Sequence, residues 1–250
     1  MTANRFFLRK KIINSRIAVL EGEEHNHLSR VVRKKTGDRV YLFDATGTTY
    51  LAKIESINND QTNLSIIEKV DKEEKGIDII LGQAMLKLKK MEFIIQKTTE
   101  LGINTFIPVR TERTILKIKN DVLERKLERW KKISLSAAKQ SGRSTLVKII
   151  HPITIQELIS NYDSTEKIIL SGKAEKCLKD IILSPFFGEH KNPEIPSSTL
   201  ILIGPEGGWT EKEEGYIVEH GYTRACLGDL ILRSETAAIS AVSALTLFWK

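Results

Sequence analysis

The hydrophobic pattern of this chain predicts a sheet of buried strands joined by helices. Residues 199–203 (TLILI) form an apolar run without alternation, which is typical of a strand covered on both faces. Residues 77–82 predict a second buried strand, and residues 167–170 a further strand. Residues 87–102 carry apolar side chains at helical spacing and end in glycine, and residues 105–109 follow as a strand. A strand, a helix and a strand in this order predict a βαβ unit and a parallel sheet.

The first 72 residues show another pattern, in which short alternating runs are separated by turn residues. The runs span residues 39–43, 49–54 and 64–67. Such a series predicts a small β-barrel. One helix is predicted over residues 23–34, with basic residues on its polar side. His25 and His27 are two residues apart and do not share a helical face, so we expect partly exposed histidines and no metal site.

A glycine-rich bend, residues 204–208 (GPEGG), follows the apolar run at once. Three glycines in five residues exceed the need of a turn and allow main-chain groups to approach a ligand. Thr210 and Glu213 have the spacing of a capping box that begins a helix. A second strand, residues 223–227, leads to another bend before Ser234, a candidate cap of the last helix. Strand ends and helix starts therefore meet where α/β sheets bind ligands.

Composition is that of a globular protein with a moderate positive charge. The chain has 250 residues, 41% hydrophobic and 28% charged, and a net charge of +7 that suits a polyanionic partner. We expect a cytoplasmic protein, because no apolar run approaches eighteen residues and the N-terminus lacks a signal-like segment. Cys177 and Cys226 are far apart in sequence, which predicts reduced thiols and neither a disulfide framework nor a zinc site.

Two further helices and a charged segment complete the organisation. Residues 120–142 predict a long helix with an apolar stripe, and glycine stops it within the sequence QSGR. The last helix is apolar around most of its circumference, which is consistent with a subunit interface. A charged stretch at residues 71–76 marks a change of periodicity. We therefore place the domains at residues 1–72 and 73–250.

Several motifs together resemble one enzyme family. They are GPEGG at 204–208, LGDLILRSETA at 227–237, QSGR at 140–143, QKTTELG at 96–102, and the RFF and HLSRVVR segments at 5–7 and 27–33. The pair of bends looks like the knotted SPOUT methyltransferases, specifically the family that methylates N3 of a uridine in 16S ribosomal RNA. The resemblance implies an α/β trefoil-knot domain with a parallel sheet, preceded by a PUA-like β-barrel that binds RNA. It also implies a homodimer with active sites composed from both subunits.

The resemblance implies S-adenosylmethionine as the cofactor, the decoding region of the small ribosomal subunit as the target, and no metal or membrane. The implied cofactor-binding residues are Leu170, Ser171, Gly172, Ile203, Gly204, Pro205, Gly207, Gly208, Leu227, Gly228, Leu232, Thr236 and Ala237. Candidate RNA-binding residues are Arg5, Arg30, Arg33, Lys87, Arg110, Arg113, Gln140 and Ser141.

The chemistry requires loss of the uridine N3 proton. Arg143 and Arg233 are candidates to stabilise the negative charge that develops on the flanking carbonyls. Glu206 is a candidate carboxylate base, although an ordinary glutamate pKa of about 4.3 matches this role poorly. For Glu235, at the start of the last helix, we favour stabilisation of the helix dipole over catalysis.

Two positions depart from the family pattern, and other readings stay open. Lys139 stands where the family commonly has a carboxylate, and Leu230 where it usually has a basic residue. The alternatives are a knotted enzyme that acts on a ribose 2′-hydroxyl or another base nitrogen, and a ribosome-associated RNA-binding protein without catalysis. Dinucleotide enzymes are disfavoured, because no G-x-G-x-x-G follows a strand.

Overall fold

The computed structural model describes residues 5–9, 16–70, 76–114, 120–187 and 194–249. The chain forms two compact units, one of residues 1–74 with 135–146 and one of residues 75–134 with 147–250. The predicted domain boundary, between residues 72 and 73, lies outside the described residues.

The first unit is built on a five-stranded curled sheet. Its elements are β1 (Arg5–Leu8), β2 (Ile17–Glu21), α1 (Gly22–Asn26), β3 (Arg39–Asp44), β4 (Thr49–Ile57) and β5 (Gln61–Val70). The strand order is β1-β3-β4-β5-β2, in which only β1 and β3 pair in parallel. Every second side chain of these strands points inward, so Phe6, Leu20, Leu42, Ile54 and Leu64 form the core.

The helix predicted over residues 23–34 is shorter and less regular than expected. It consists of α1 followed by a π-helical turn at His27–Val31. The chain leaves the helix before Arg33, which adopts a left-handed φ of 56°. The partly exposed state predicted for His25 is wrong. Its ring is buried, with Nδ1 2.8 Å from Thr62 Oγ1 and Nε2 3.1 Å from the Asn59 carbonyl oxygen.

The second unit is a parallel sheet with helices on both faces. Its elements are β6 (Asp78–Ala84), α2 (Leu88–Leu101), β7 (Thr105–Arg110), α3 (Asn120–Ser141, the last turns of which belong to the first unit), β8 (Lys148–Ile149), β9 (Ile153–Thr154), α4 (Ile155–Asn161), β10 (Glu166–Leu170), α5 (Leu178–Leu183), β11 (Ser198–Ile203), α6 (Glu211–Glu219), β12 (Thr223–Ala225) and α7 (Ser234–Trp249). The strand order is β12-β10-β11-β6-β7-β8, and β9 also pairs with β7.

Alternation along the central strands divides the core of this unit between two layers. Leu81 and Ile201 face the layer of α2, α5 and α7, whereas Ile80 and Leu202 face α4 and α6. All four side chains are at least nine-tenths buried, so both faces of the sheet are covered, as the unbroken apolar runs predict. The predicted strand 223–227 is shorter, ending at Ala225, because the chain leaves the sheet to form an isolated bridge to Cys177.

Candidate functional site

An open cavity of about 1330 Å³ lies at the carboxyl ends of β10, β11 and β12. Three consecutive turns form its wall, namely residues 170–173, 203–209 and 225–234. The starts of α2 and α7 complete it with Lys87, Lys90, Ser234 and Ala237. The two bends that the sequence singles out thus share one cavity.

Trp209 joins the first two turns. Its indole N–H donates a 3.0 Å hydrogen bond to the carbonyl of Leu170, the last residue of β10. The ring covers Gly204, where an added Cβ would lie only 3.1 Å from Trp209 Nε1. A side chain at position 204 would displace the indole, so this glycine is required for a close approach.

Ser234 joins the second and third turns. Its hydroxyl donates to the carbonyl of Gly204 at 2.6 Å and accepts from Gln83 Nε2 at 3.0 Å. Gln83 is fully buried at the end of β6 and also donates to the carbonyl of Ala84. Ser234 thereby links two turns to a central strand, and its role as a helix cap stays a prediction.

Arg113 supports the glycine-rich bend from outside. Its Nη1 donates to the carbonyl of Gly207 and, at 3.4 Å, to that of Trp209. An added Cβ on Gly207 would lie 3.3 Å from Arg113 Cδ, which leaves little room for a side chain. Gly208 has a φ of 69°, a left-handed conformation that glycine adopts without strain. These contacts and this conformation fix the path of residues 204–208.

Lys90, in the first turn of α2, pairs with two carboxylates at the rim. Its ammonium lies 2.6 Å from Glu206 Oε1 and 2.9 Å from Glu235 Oε1. These hydrogen bonds raise the pKa of Lys90. Partial burial would raise the pKa of Glu235, but the hydrogen bond and charge of Lys90 and a main-chain N–H outweigh it, so this pKa is lowered. The network connects the glycine-rich bend to the starts of α2 and α7.

Most residues predicted to bind the cofactor line this cavity. They are Leu170, Ser171, Gly172, Ile203, Gly204, Pro205, Gly207, Gly208, Leu227, Gly228, Leu232 and Ala237. Thr236 is the exception, because it is exposed on α7 and is not part of the lining. The predicted catalytic residues Arg233 and Glu206 and the predicted RNA contacts Lys87 and Arg113 also line it. Arg110 lies outside the lining, exposed at the end of β7.

The remaining predicted residues belong to the first unit. Arg30, Arg33, Gln140 and Ser141 are exposed there. Arg5 Nη2 donates to Thr49 Oγ1, Ser144 Oγ and the Arg143 carbonyl at 3.1–3.2 Å. Arg143 itself is buried, and its Nη2 donates to Thr145 Oγ1 at 3.0 Å. The functional roles of these residues stay predictions.

Lys139 has a partner within the first unit. Its ammonium lies 2.9 Å from both carboxylate oxygens of Glu24, and it stands 5.8 Å from the centre of the Phe6 ring. Burial, followed by the charge of Lys139, lowers the pKa of the neighbouring His27. The positive charge that departs from the family pattern is thus neutralised by a local carboxylate.

Comparisons with known proteins agree with this geometry. The family model of an RNA methyltransferase domain matches residues 73–246, and that of an RNA methyltransferase PUA domain matches residues 20–67. The chain belongs to this RNA methyltransferase family. The trefoil-knot (SPOUT) fold class with a PUA-like N-terminal domain, expected from the sequence, is thereby confirmed.

Individual members of the RNA methyltransferase family align over nearly the whole chain. Ribosomal RNA small subunit methyltransferase E of Bacillus subtilis is 32% identical, with 91% of this chain and 88% of the relative covered. The enzyme of the same name from Neisseria gonorrhoeae, solved bound to S-adenosyl methionine, is 29% identical with a TM-score of 0.84, covering 99% and 98%. A putative methyltransferase of Legionella pneumophila, solved with bound SAM, is 27% identical with a TM-score of 0.86 and the same coverage.

Sequence reasoning missed Trp209 and Cys226 of this methyltransferase's cavity. Trp209 lines it and bonds to its wall, and Cys226 faces it beside Leu227. Trp209 directly follows the glycine-rich bend. A large aromatic side chain with an N–H donor beside the glycines of this bend was the sequence signal that could have indicated it. Among the residues that the structure describes, no group of three or more His, Cys, Asp or Glu side chains could hold a metal. The helices within those ranges are too short or too polar to cross a membrane.

Proposed function

We propose that this protein transfers the methyl group of S-adenosylmethionine to N3 of a uridine in 16S ribosomal RNA, within the decoding region of the small subunit. The observation that carries the proposal is the single cavity formed by the three turns, in a chain whose relatives are named for small-subunit RNA methylation. The domain ranges proposed for these tasks are residues 1–72 for RNA binding and 73–250 for catalysis.

The cavity fits the cofactor in size and in surface. Gly172, Gly208 and Gly228 line it, and an added Cβ at each would meet open space. Main-chain groups at these points are accessible to the adenine and ribose, while Ile203, Leu227 and Leu232 supply apolar contact. Thr236, outside the lining, is the weakest member of the proposed set. S-adenosylmethionine supplies an activated methyl group. The protein therefore needs only to bind the cofactor, orient the acceptor base and accept the proton that the base loses.

Arg233 is the residue that we assign to the charge of the reacting base. It lines the cavity between Leu232 and Ser234, and a guanidinium offers several N–H donors in one plane. Donors aimed at the uracil carbonyls would stabilise the anion that forms when N3 loses its proton. Arg143 is kept as a second candidate for this role on the QSGR motif alone.

Glu206 is proposed as the group that accepts the N3 proton, directly or through water. Its carboxylate lies at the rim and shares one oxygen with the Lys90 ammonium, which leaves the other oxygen available as an acceptor. Glu235 is given a positioning role, because its carboxylate is bound to Lys90 in the first turn of α7.

The proposed substrate is a base displaced from folded RNA, which needs phosphate contacts beside the cavity. Lys87, Arg110 and Arg113 are exposed on the catalytic unit and are proposed for these contacts. Arg30 and Arg33 are exposed on the first unit and are proposed to bind RNA there. Arg5, Gln140 and Ser141 complete the proposed set, although the Arg5 guanidinium already holds internal hydrogen bonds. An enzyme of small-subunit RNA would act where ribosomes assemble, in keeping with the expected cytoplasmic location.

We also propose that the enzyme is a homodimer. Leu247 and Phe248 of α7 are 76% and 49% exposed, which is unusual for large apolar side chains on a helix that is apolar around most of its circumference. Sedimentation of the full chain should give twice the mass of one 28.3 kDa subunit, and Leu247→Glu should shift it toward the monomer.

Two measurements test the proposed reaction. Calorimetric titration should show S-adenosylmethionine binding, and its absence would leave the non-catalytic RNA-binding protein as the better reading. Small subunits from cells lacking the gene should then gain 3-methyluridine on incubation with enzyme and cofactor, as detected by nucleoside mass spectrometry. A 2′-O-methylated nucleoside, or a methyl group on another base nitrogen, would contradict the uridine N3 target.

A further inference from the structure

The only two cysteines of the chain meet beside the cavity. Cys177 and Cys226 are 49 residues apart, yet their Sγ atoms lie 2.9 Å from each other. The contact is closer than two unreacted, non-bonded sulfur atoms ordinarily keep. Both residues are free thiols of intermediate exposure, so a small oxidant can reach them.

The main chain holds the two residues in register. They form an isolated parallel β-bridge, in which the Cys226 N–H donates to the Lys176 carbonyl at 2.9 Å and the Leu178 N–H donates to the Cys226 carbonyl at 2.8 Å. Bridge partners lie about 4.8 Å apart, within the Cα separation of roughly 4.4–6.8 Å that a disulfide accepts. The sulfur atoms therefore need to move by only about 1 Å to bond.

The two thiols are chemically unequal. The contact with the Cys177 thiol and a hydrogen bond from the Gly228 N–H lower the pKa of Cys226. The same thiol contact raises the pKa of Cys177. An attacking thiolate next to a second thiol is the arrangement found in redox-sensitive cysteine pairs.

We propose that Cys177 and Cys226 form a reversible oxidative modification site, whose disulfide slows exchange of the cofactor. Hydrogen peroxide is the oxidant. The Cys226 thiolate attacks one peroxide oxygen, the O–O bond breaks, and the released hydroxide takes up a proton to become water. Cys177 then attacks the sulfenic sulfur, so that an S–S bond forms, the S–O bond breaks and a second water leaves with the Cys177 proton. Two thiols are thus oxidised by two electrons while one peroxide becomes two waters.

The position of the pair supplies the consequence for binding. Cys226 lines the cavity and directly precedes Leu227 and Gly228 of the third turn, while Cys177 ends the segment that follows the first turn. A covalent bond here would restrain the first and third turns relative to each other. If the two turns must move apart to admit a ligand, that ligand would enter and leave the cavity more slowly. This part of the inference rests on the proposed binding of S-adenosylmethionine.

The test treats the reduced full-length protein with hydrogen peroxide and analyses it by intact mass and thiol titration. The wild-type monomer should become two hydrogens lighter and lose both titratable thiols, and dithiothreitol should restore both. Neither Cys177→Ser nor Cys226→Ser should lose two hydrogens. Cys177→Ser should instead gain one oxygen on Cys226. Gain of oxygen without loss of two hydrogens in the wild type, or a disulfide between chains, would overturn the site.

Stopped-flow mixing with S-adenosylmethionine tests the functional half. Oxidation should slow both association and dissociation about fivefold or more in the wild type, and dithiothreitol should restore both rates. In Cys177→Ser, which cannot form the disulfide, neither rate should change on addition of dithiothreitol. Unchanged rates in a protein shown by mass to carry the disulfide would overturn the effect on exchange. Failure of the reduced protein to bind the cofactor would contradict the proposed function instead, while the mass measurement would still decide the modification site.

Discussion

The indole N–H of Trp209 and the carbonyl of Leu170 are joined by a 3.0 Å hydrogen bond across two turns of the cavity. The bond fastens the glycine-rich bend to the end of β10, while the same ring fills the space above Gly204. One side chain outside the recognised motifs thereby sets the separation of two ligand-facing segments.

Trp209→Phe keeps an aromatic ring but removes the donor to the Leu170 carbonyl. A buried carbonyl without a partner costs about 1–3 kcal/mol of stability, and we expect S-adenosylmethionine affinity to fall about tenfold because two turns lose their link. Urea unfolding and calorimetric titration measure the two effects. Trp249→Phe is the matched control. The indole N–H of Trp249 donates a 2.9 Å hydrogen bond to the Ile182 carbonyl, and this bond lies away from the cavity. An equal loss of affinity in both variants would refute the role of Trp209.

Gly204→Ala should destabilise the fold by about 1–3 kcal/mol, since the new Cβ would lie 3.1–3.4 Å from three atoms of the Trp209 ring. Gly215→Ala provides the comparison. That glycine lies within α6 with open space around it, so alanine should stabilise the helix by about 0.5–1 kcal/mol. Thermal unfolding of both variants measures whether each alanine raises or lowers stability. Unchanged stability of Gly204→Ala would show that the Trp209 indole can move aside without cost.

The ion pairs of Lys90 predict a dependence of stability on pH. The lowered pKa of Glu235 contributes stability above its ordinary value of 4.5, and this contribution is lost as the pH falls through the lowered pKa. Lys90→Gln removes the cause. The melting temperature of the variant should therefore be lower than that of the wild type at pH 7, and the difference should shrink below about pH 4.5.

Lys89→Gln is the control for this pH series, because Lys89 is exposed in the same turn of α2. Its melting temperature should follow the wild type throughout. A gap between Lys90→Gln and the wild type that stays constant from pH 7 to pH 3 would show that Lys90 acts through packing and not through the carboxylates.

Lys139→Met leaves the Glu24 carboxylate largely buried without its cation. We expect a loss of about 3 kcal/mol in unfolding free energy and a rise in the pKa of His27, because the positive charge that lowers it is gone. NMR titration of the imidazole measures the second effect. Lys131→Met, on the same helix but paired with the exposed Glu128, should change neither quantity. A His27 pKa that stays unchanged or falls would contradict the assigned cause.

Arg233→Gln should lower kcat for RNA methylation by about 10²–10³, with little change in S-adenosylmethionine affinity, because it removes a donor needed only when charge develops on the base. Steady-state methylation of small subunits measures kcat, and calorimetry measures affinity. Arg129→Gln, which breaks a surface pair with Glu92, should leave both unchanged. A loss in affinity equal to the loss in rate would assign Arg233 to cofactor binding instead.

The sequence predicts the elements of the catalytic unit because their patterns are local. The run at residues 199–203, the capping box of Thr210 and Glu213 and the glycine stop after Leu101 all appear in the structure at those positions. The glycine-rich bends could likewise be assigned to one cavity, since the carboxyl ends of parallel strands meet at one edge of the sheet. Residues predicted from the bends consequently line the cavity.

Contacts between distant residues could not be predicted in this way. Nothing near Trp209 in sequence indicates that its N–H reaches Leu170, and the separation of Cys177 from Cys226 suggested two unrelated thiols. A partly exposed His25 is the expectation because His25 and His27 share no helical face, but the ring is buried and hydrogen-bonds to Thr62 and Asn59 of another segment. Each of these contacts depends on the tertiary arrangement, which periodicity does not specify.

The hydroxyl of Ser234 receives one hydrogen bond from Gln83 and gives one to the Gly204 carbonyl, so replacing Gln83 or Ser234 alone leaves a polar group of the other without this partner. Positions 83 and 234 are 151 residues apart, yet a substitution at one affects the other. Among homologous sequences the two positions should therefore covary, with the glutamine kept or exchanged only together with the serine.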